Sequence, residues 1–155
     1  MKVYQFHQKQ FIRAGIDTVW DFFSSPHNLN EITPPFMNFE ILDISGSEKM
    51  FNGQLIKYKV SPFPFVRVKW VTEIKDIQPK KFFADNQLKG PFKLWHHEHR
   101  FTEVNGGIEM EDHVSYAVPF GFISRLANAI AVDKQVHQIF EYRKKKIDQR
   151  FNNVQ

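Results

Sequence analysis

Alternation of apolar and polar positions dominates the first three quarters of the chain. Residues Tyr4 to Arg13 alternate loosely and read as a first strand. Six further runs carry the same two-residue period: Phe39–Ile44, Gln54–Val60, Phe65–Ile74, Lys81–Leu88, Lys93–Thr102 and Ile108–Val118. Turn-forming residues separate them at Ser45-Gly46, Asn52-Gly53, Pro62 with Pro64, Gln78-Pro79, Gly90-Pro91 and Asn105-Gly106-Gly107. Regular spacing of this kind predicts an antiparallel meander. Two short helices are expected after the first strand. Asp17 is placed to cap the first, which carries Val19, Trp20, Phe22 and Phe23. The second covers Asn28 to Ile32, before Pro34-Pro35 ends any helical run.

After Pro119-Phe120-Gly121 the period changes. From Phe122 to Phe151 there is no Pro or Gly, and Leu126, Ile130, Val132, Val136, Ile139, Phe140, Ile147 and Phe151 follow helical spacing. A continuous helix there would reach ~45 Å at about 1.5 Å per residue, against a radius of gyration of ~15 Å for a domain of this size. It must lie across the sheet or break, and Val132-Asp133 is the point for a break. The predicted class is therefore α+β: a curved, seven-stranded antiparallel sheet with two short helices after strand 1, wrapped around a long C-terminal helix. The 155 residues fit one domain, 1–155, large enough to bury a core. Where sheet and helix part, a cavity is expected.

Composition adds one strong signal. Seventeen Phe, three Trp and four Tyr exceed what closing such a core requires. The excess is either core alone or the lining of a cavity for a flat or greasy ligand. There is no cysteine, which excludes disulfides and thiol chemistry. The N-terminus lacks the apolar stretch of a signal peptide, and no run approaches a membrane span. A cytoplasmic protein without an integral membrane segment is the expectation. The net charge of +4 gathers at Arg143-Lys144-Lys145-Lys146 and Arg150, near the negative end of the long helix, where cations stabilise it. Acidic residues are interspersed elsewhere, which argues against a nucleic-acid partner. The sequence carries no signal of oligomeric state.

The candidate chemistry lies on one hairpin. Trp95, His97, His99 and Phe101 share a strand face, as do Ile108, Met110, Asp112, Val114, Tyr116 and Val118 on the next strand. A two-residue Asn105-Gly106 turn sets Val104 opposite Gly107, and hence His99 opposite Asp112. Gly107 is the weak point, since a three-residue loop would shift the pairing by one. An opposed His99–Asp112 pair suits a charge-assisted hydrogen bond, with His97 beside it. Polar groups on apolar faces must be satisfied by something. Three readings stand: a structural cluster that fixes the register, a polar spot that orients a ligand, and chemistry, either general-base catalysis by His99 with Asp112 or a His-x-His-plus-Asp metal triad. No second conspicuous carboxylate shares the inward face, which weakens the metal case; no metal and no cofactor is expected. Trp70 and Thr72 share a face with Val66, Val68 and Ile74 and join the expected lining. Asp85 and Gln87 depend on the Gly90-Pro91 turn and are left unassigned. Tyr142 and Arg143 read as stabilising the long helix.

The chain resembles the START/Bet v 1-like, or helix-grip, superfamily, and within it the bacterial ligand-binding SRPBCC proteins of the polyketide cyclase-like branch. The resemblance rests on Val19-Trp20-Asp21-Phe22-Phe23, Ile32-Thr33-Pro34-Pro35, Gly90-Pro91-Phe92, the Trp95/His97/His99/Phe101 strand, Gly106-Gly107, Asp112, Tyr116 with Pro119-Phe120-Gly121, and Phe140-Glu141-Tyr142-Arg143. It implies a cavity between sheet and C-terminal helix that holds a hydrophobic small molecule, and it implies no particular reaction. Two functions follow. The first is binding or transport of a lipid, polyketide-like or aromatic molecule, with Trp70, Thr72, Trp95, His97, His99, Phe101, Asp112 and Tyr116 as ligand-binding candidates. The alternative is a cyclase, dehydratase or isomerase using His99 and Asp112.

Overall fold

The structure is a computed structural model and describes residues 1–63, 65–119 and 126–153. Strand β1 (Tyr4–Ile12) is followed by helix α1 (Ile16–Phe23), then by β2 (Glu40–Ile44), β3 (Leu55–Phe63), β4 (Val66–Gln78), β5 (Phe82–Lys89), β6 (Leu94–Val104), β7 (Gly107–Ala117) and the long helix α2 (Leu126–Phe151). The seven strands form one sheet in the order β1-β7-β6-β5-β4-β3-β2, and every neighbouring pair is antiparallel. The meander runs from β2 to β7, and β1 closes against β7. The period-two runs thus became strands within a few residues of their expected ends. Two anticipated features, Pro64 and Phe120-Gly121, lie outside the described residues.

The segment after β1 differs in detail from its expectation. One α-helix forms, and the proposed second helix is replaced by 3₁₀ turns at Pro26–Asn30 and Pro35–Met37. Pro26 opens the first turn and Pro35 the second, and Pro34-Pro35 ends any helical continuation between them. The bonds that form are short-range, such as Asn28 N–H to the Ser25 carbonyl at 3.1 Å and Glu31 N–H to the Asn28 carbonyl at 3.2 Å. Asp17 is not the cap of α1. Gly15 holds that position without a side-chain bond, and Asp17 sits in the first turn, paired with Lys80 at 2.6 Å. Its carboxylate still faces the positive end of the helix.

Helix α2 runs unbroken through Val132-Asp133. Val132, Val136, Phe140 and Ile147 are buried along one stripe, while Ile130 is 63% exposed. Two residues at about 100° each carry Ile130 to the opposite side from Val132, so it falls outside the stripe that it was expected to join. The Leu126 side chain lies outside the described residues. Polar side chains of β1 clamp the C-terminal half of the helix: Gln10 Nε2 donates to the Lys144 carbonyl at 2.7 Å and to Asp148 Oδ1 at 2.9 Å. The N-terminal half is held by Tyr116, whose hydroxyl donates to Asp133 Oδ1 at 2.9 Å, and by Gln135, which donates to the Pro62 carbonyl at 3.0 Å. Below the middle of the helix, Ile12, Val19, Phe22, Phe101, Met110 and Ile147 form one apolar cluster. Above it, Phe6, Val114, Tyr116, Val132, Val136 and Phe140 form another.

The β6–β7 hairpin has the expected register throughout: Val104 pairs Gly107, Phe101 pairs Met110, His99 pairs Asp112, His97 pairs Val114 and Trp95 pairs Tyr116. Gly106 takes the turn with φ of 86°. Gly107 is glycine for a different reason. A methyl group there would collide with the Ile12 carbonyl oxygen and the Phe11 ring, because the end of β1 lies alongside, with Ile12 paired to Ile108. Gly107→Ala is therefore expected to destabilise the fold by about 1–3 kcal/mol, read as a lowered midpoint in urea denaturation. An unchanged midpoint would show that β1 can yield.

Candidate functional site

Between the concave sheet and α2 lies a cavity of about 160 Å³. Aromatic and aliphatic groups supply most of its wall, including Tyr58, Trp70 and Trp95 from the sheet, Val136 and Phe140 from α2, and Phe22 and Phe23 from α1. Trp70 stacks on Tyr58 with ring centres 5.8 Å apart and meets Trp95 edge-on at 5.3 Å. Aromatic residues here do two tasks at once: they close the sheet and present flat faces to the interior.

Of the residues expected to bind ligand, Trp70, Thr72, Trp95, His97 and His99 line this cavity. Phe101, Asp112 and Tyr116 are buried but outside the lining. Phe101 packs against Trp20 and Phe23 in the lower cluster. Tyr116 stacks on Tyr4 and reaches Asp133. Asp112 lies behind the two histidines, where it is their partner.

The opposed His99–Asp112 register does not produce the expected hydrogen bond between them. His97 Nε2 donates to Asp112 Oδ1 at 2.7 Å, whereas His99 Nδ1 stays 3.6 Å from that oxygen. His99 instead donates from Nε2 to Asp85 Oδ2 at 2.6 Å, and that oxygen also lies 3.5 Å from His97 Nδ1. A guanidinium completes the group: Arg143 Nη2 is 3.5 Å from both Asp112 Oδ1 and His99 Nδ1. Diagonal contacts won over the direct one because the two imidazoles lean together, with ring centres 3.7 Å apart, and His99 stacks on Phe83 at 4.1 Å.

Two members of this group escaped sequence reasoning. Asp85 sits opposite His97 on β5 and lines the cavity, so a second carboxylate does share the inward face. The connection from Gly90 to Lys93 is too long to set a register by turn geometry, which is why its face was not legible. Arg143, expected with the basic run to stabilise the long helix, is 7% exposed and lies between Phe140 and Ile147 on the buried stripe. Its spacing from those two residues was the available signal.

The electrostatics follow from burial and pairing. Burial alone would raise the Asp112 carboxyl, but Arg143 and the His97 hydrogen bond hold it well below the ordinary carboxylate range. Asp85 is likewise lowered: burial acts upward, and His97, His99 and Arg143 outweigh it. Burial pushes His99 down to about 4, with the neighbouring His97 acting in the same direction and the Asp85 hydrogen bond opposing. At neutral pH the carboxylates are ionised, so His99 is a neutral ring with its proton on Nε2. Its Nδ1 lone pair faces the Arg143 guanidinium. Nearby, Tyr58 bonds Thr72 at 3.2 Å, and burial raises its phenol far above the usual value.

Asp85, His97 and His99 bring ligand atoms within 4.8 Å of one another, as a metal site would, and a second such group, His7, Glu111 and His113, lies on the outer face. In the inner group the Arg143 charge and the protein's own hydrogen bonds already occupy the donor set. Three buried side-chain atoms find no partner among the described residues: Gln54 Oε1, Trp70 Nε1 and Arg143 Nε. All three belong to residues that line the cavity.

A curved antiparallel sheet gripping one long helix around an apolar cavity with a polar patch is the helix-grip architecture. The chain belongs to the polyketide cyclase/dehydrase and lipid transport family, whose model matches residues 12–140. No curated protein matches it. Among solved structures it is similar to the Zhui aromatase/cyclase from a Streptomyces species, at 15% identity and a TM-score of 0.74, covering 94% of this chain and 92% of that one. TTHA0849 from Thermus thermophilus aligns at 14% identity and a TM-score of 0.69, covering 95% and 96%. Ara h 8.0201 aligns at 12% identity and a TM-score of 0.60, covering 94% and 98%. At such identities the likeness carries the fold alone. No helix among the described residues is long and apolar enough to cross a membrane.

Proposed function

We propose that this protein binds a hydrophobic small molecule, of lipid, polyketide-like or aromatic type, in the cavity between sheet and α2. The observation that carries the reading is the cavity itself, an apolar space of about 160 Å³ walled by aromatic rings and bordered by one polar cluster. A core built only for stability would be expected to close such a space, since voids cost free energy. The cluster supports binding over a reaction. Each histidine already donates to a carboxylate, and the remaining His99 nitrogen faces Arg143. The His99 lone pair thus faces a cation, which works against its taking a proton as a general base, and His97 Nδ1 lies 3.5 Å from Asp85 Oδ2.

Ethylbenzene is a suitable first probe, because an engineered cavity of ~150 Å³ accepts benzene. It should raise the melting temperature of the protein in a concentration-dependent way. Val136→Phe, which fills the cavity from α2, should abolish that shift while leaving the unliganded protein folded. A probe effect that survives the filled cavity would place binding elsewhere.

A further inference from the structure

We infer that the outer face of the sheet carries a site for a divalent transition cation of the zinc class, built by His7, Glu111 and His113. The expectation of no metal concerns the inward face of the hairpin, and this group lies on the opposite one. Alternation puts it there. Phe6 on β1 and Met110, Asp112 and Val114 on β7 are buried, so the residues between them point outward. Register does the rest. His7 pairs directly with His113, and Glu111 lies two residues along the same face of β7.

Three electron-pair donors then converge. His113 Nε2 lies 2.9 Å from Glu111 Oε2, and His7 Nε2 lies 3.2 Å from the same oxygen. The two imidazoles stack with ring centres 4.0 Å apart, and the three ligand atoms all lie within 4.8 Å of one another. Around a tetrahedral zinc with bonds of ~2.1 Å, neighbouring ligand atoms stand ~3.4 Å apart. Both nitrogen–oxygen spacings therefore need widen by about half an ångström or less. Without a cation, two rings share a single acceptor oxygen, and protonating both would set like charges face to face. Lys9 competes only weakly, since its ammonium is 3.7 Å from the other Glu111 oxygen. Glu98, opposite His113 on β6, is held by Arg100 at 2.7 Å, which leaves the fourth position to water.

The donor set also selects the metal. Two of three ligands are imidazoles, which suit zinc, copper and nickel, whereas magnesium and calcium require oxygen. The location has a structural consequence. β1 is an edge strand, and its inward-reaching Gln8 and Gln10 hold the backbone of α2. A cation bridging His7 to β7 fastens that edge from outside and stabilises the folded chain.

Zinc chloride is titrated calorimetrically into the wild-type protein, into His7→Gln and His113→Gln, and into His27→Gln as control. His27 is exposed and also lies near a carboxylate, Glu48 at 3.9 Å, but has no second imidazole beside it. One zinc per chain with micromolar affinity is expected for the wild type. Each site variant should lose at least about tenfold, and the control should stay within about twofold. Zinc at a hundredfold excess over Kd should raise the wild-type melting temperature by about 5–10 °C and leave both site variants unmoved. Ring-proton NMR of the wild type makes the test independent of variant folding: the His7 and His113 signals should respond to zinc before any other histidine. The inference is overturned by no binding at micromolar zinc, by unchanged affinity in either site variant, or by equal binding of magnesium chloride. First response from His97 and His99 places the metal at the inner cluster and overturns it too.

Discussion

Replacing Arg143 with Met should destabilise the protein by about 3–5 kcal/mol, the range measured when one partner of a buried ion pair is removed. The guanidinium lies 3.5 Å from Asp112, and both residues are more than nine-tenths buried. Without it, Asp112 keeps only the His97 hydrogen bond, and Asp85 loses a favourable charge nearby. Part of the loss will be packing, because the Arg143 head group also sits over the Phe23 and Phe140 rings. A second variant separates the two contributions. If charge dominates, Asp112→Asn in the Arg143→Met background should recover a large share of the stability. Urea denaturation measures both, and a loss below about 1 kcal/mol for the single variant would mean that the pair is not the anchor its burial suggests.

The second large effect is with pH. Burial lowers His99 to about 4 from an ordinary 6.5. Between those values the unfolded chain takes up a proton that the folded chain refuses, so stability falls as the pH falls. Across the full window the change is on the order of 3 kcal/mol. Asp85 and Asp112, both held below their ordinary 3.8, act at lower pH still. There the unfolded chain protonates them while the folded chain keeps them ionised, which adds a further loss. His99→Asn should flatten the profile between about pH 6.5 and 4 and leave the steeper drop below it. A wild-type profile that is flat across the upper window would contradict a neutral, buried His99.

The hairpin that carries the cluster was legible because its register depends on local information. A two-residue turn and an apolar stripe decided the pairing of Trp95 with Tyr116 and of His99 with Asp112, and the pairing is as read. The partners of the histidines were not legible for the opposite reason. Asp85 arrives from β5 through a connection too long to count register across. Arg143 arrives from a helix whose rotation against the sheet is settled by packing along its whole length. Alternation also cannot distinguish a direct from a diagonal contact, since both keep the same face. Thus His97 rather than His99 holds Asp112. Aromatic excess pointed correctly to a ring-lined interior, while the size of the space depends on how far α2 stands off the sheet. The 3₁₀ turns after α1 differ from an α-helix only in the range of their hydrogen bonds, which the apolar period does not encode.

These details leave the central claim resting on the cavity, and the place of binding tests it most directly. Backbone amide spectra should be recorded by NMR as ethylbenzene is titrated into the protein. The expected result is saturable shifts centred on Ile56, Val60, Trp70, Val132 and Val136, the residues around the cavity. Absence of saturable change, or change confined to exposed apolar positions such as Phe65 and Ile130, would contradict it.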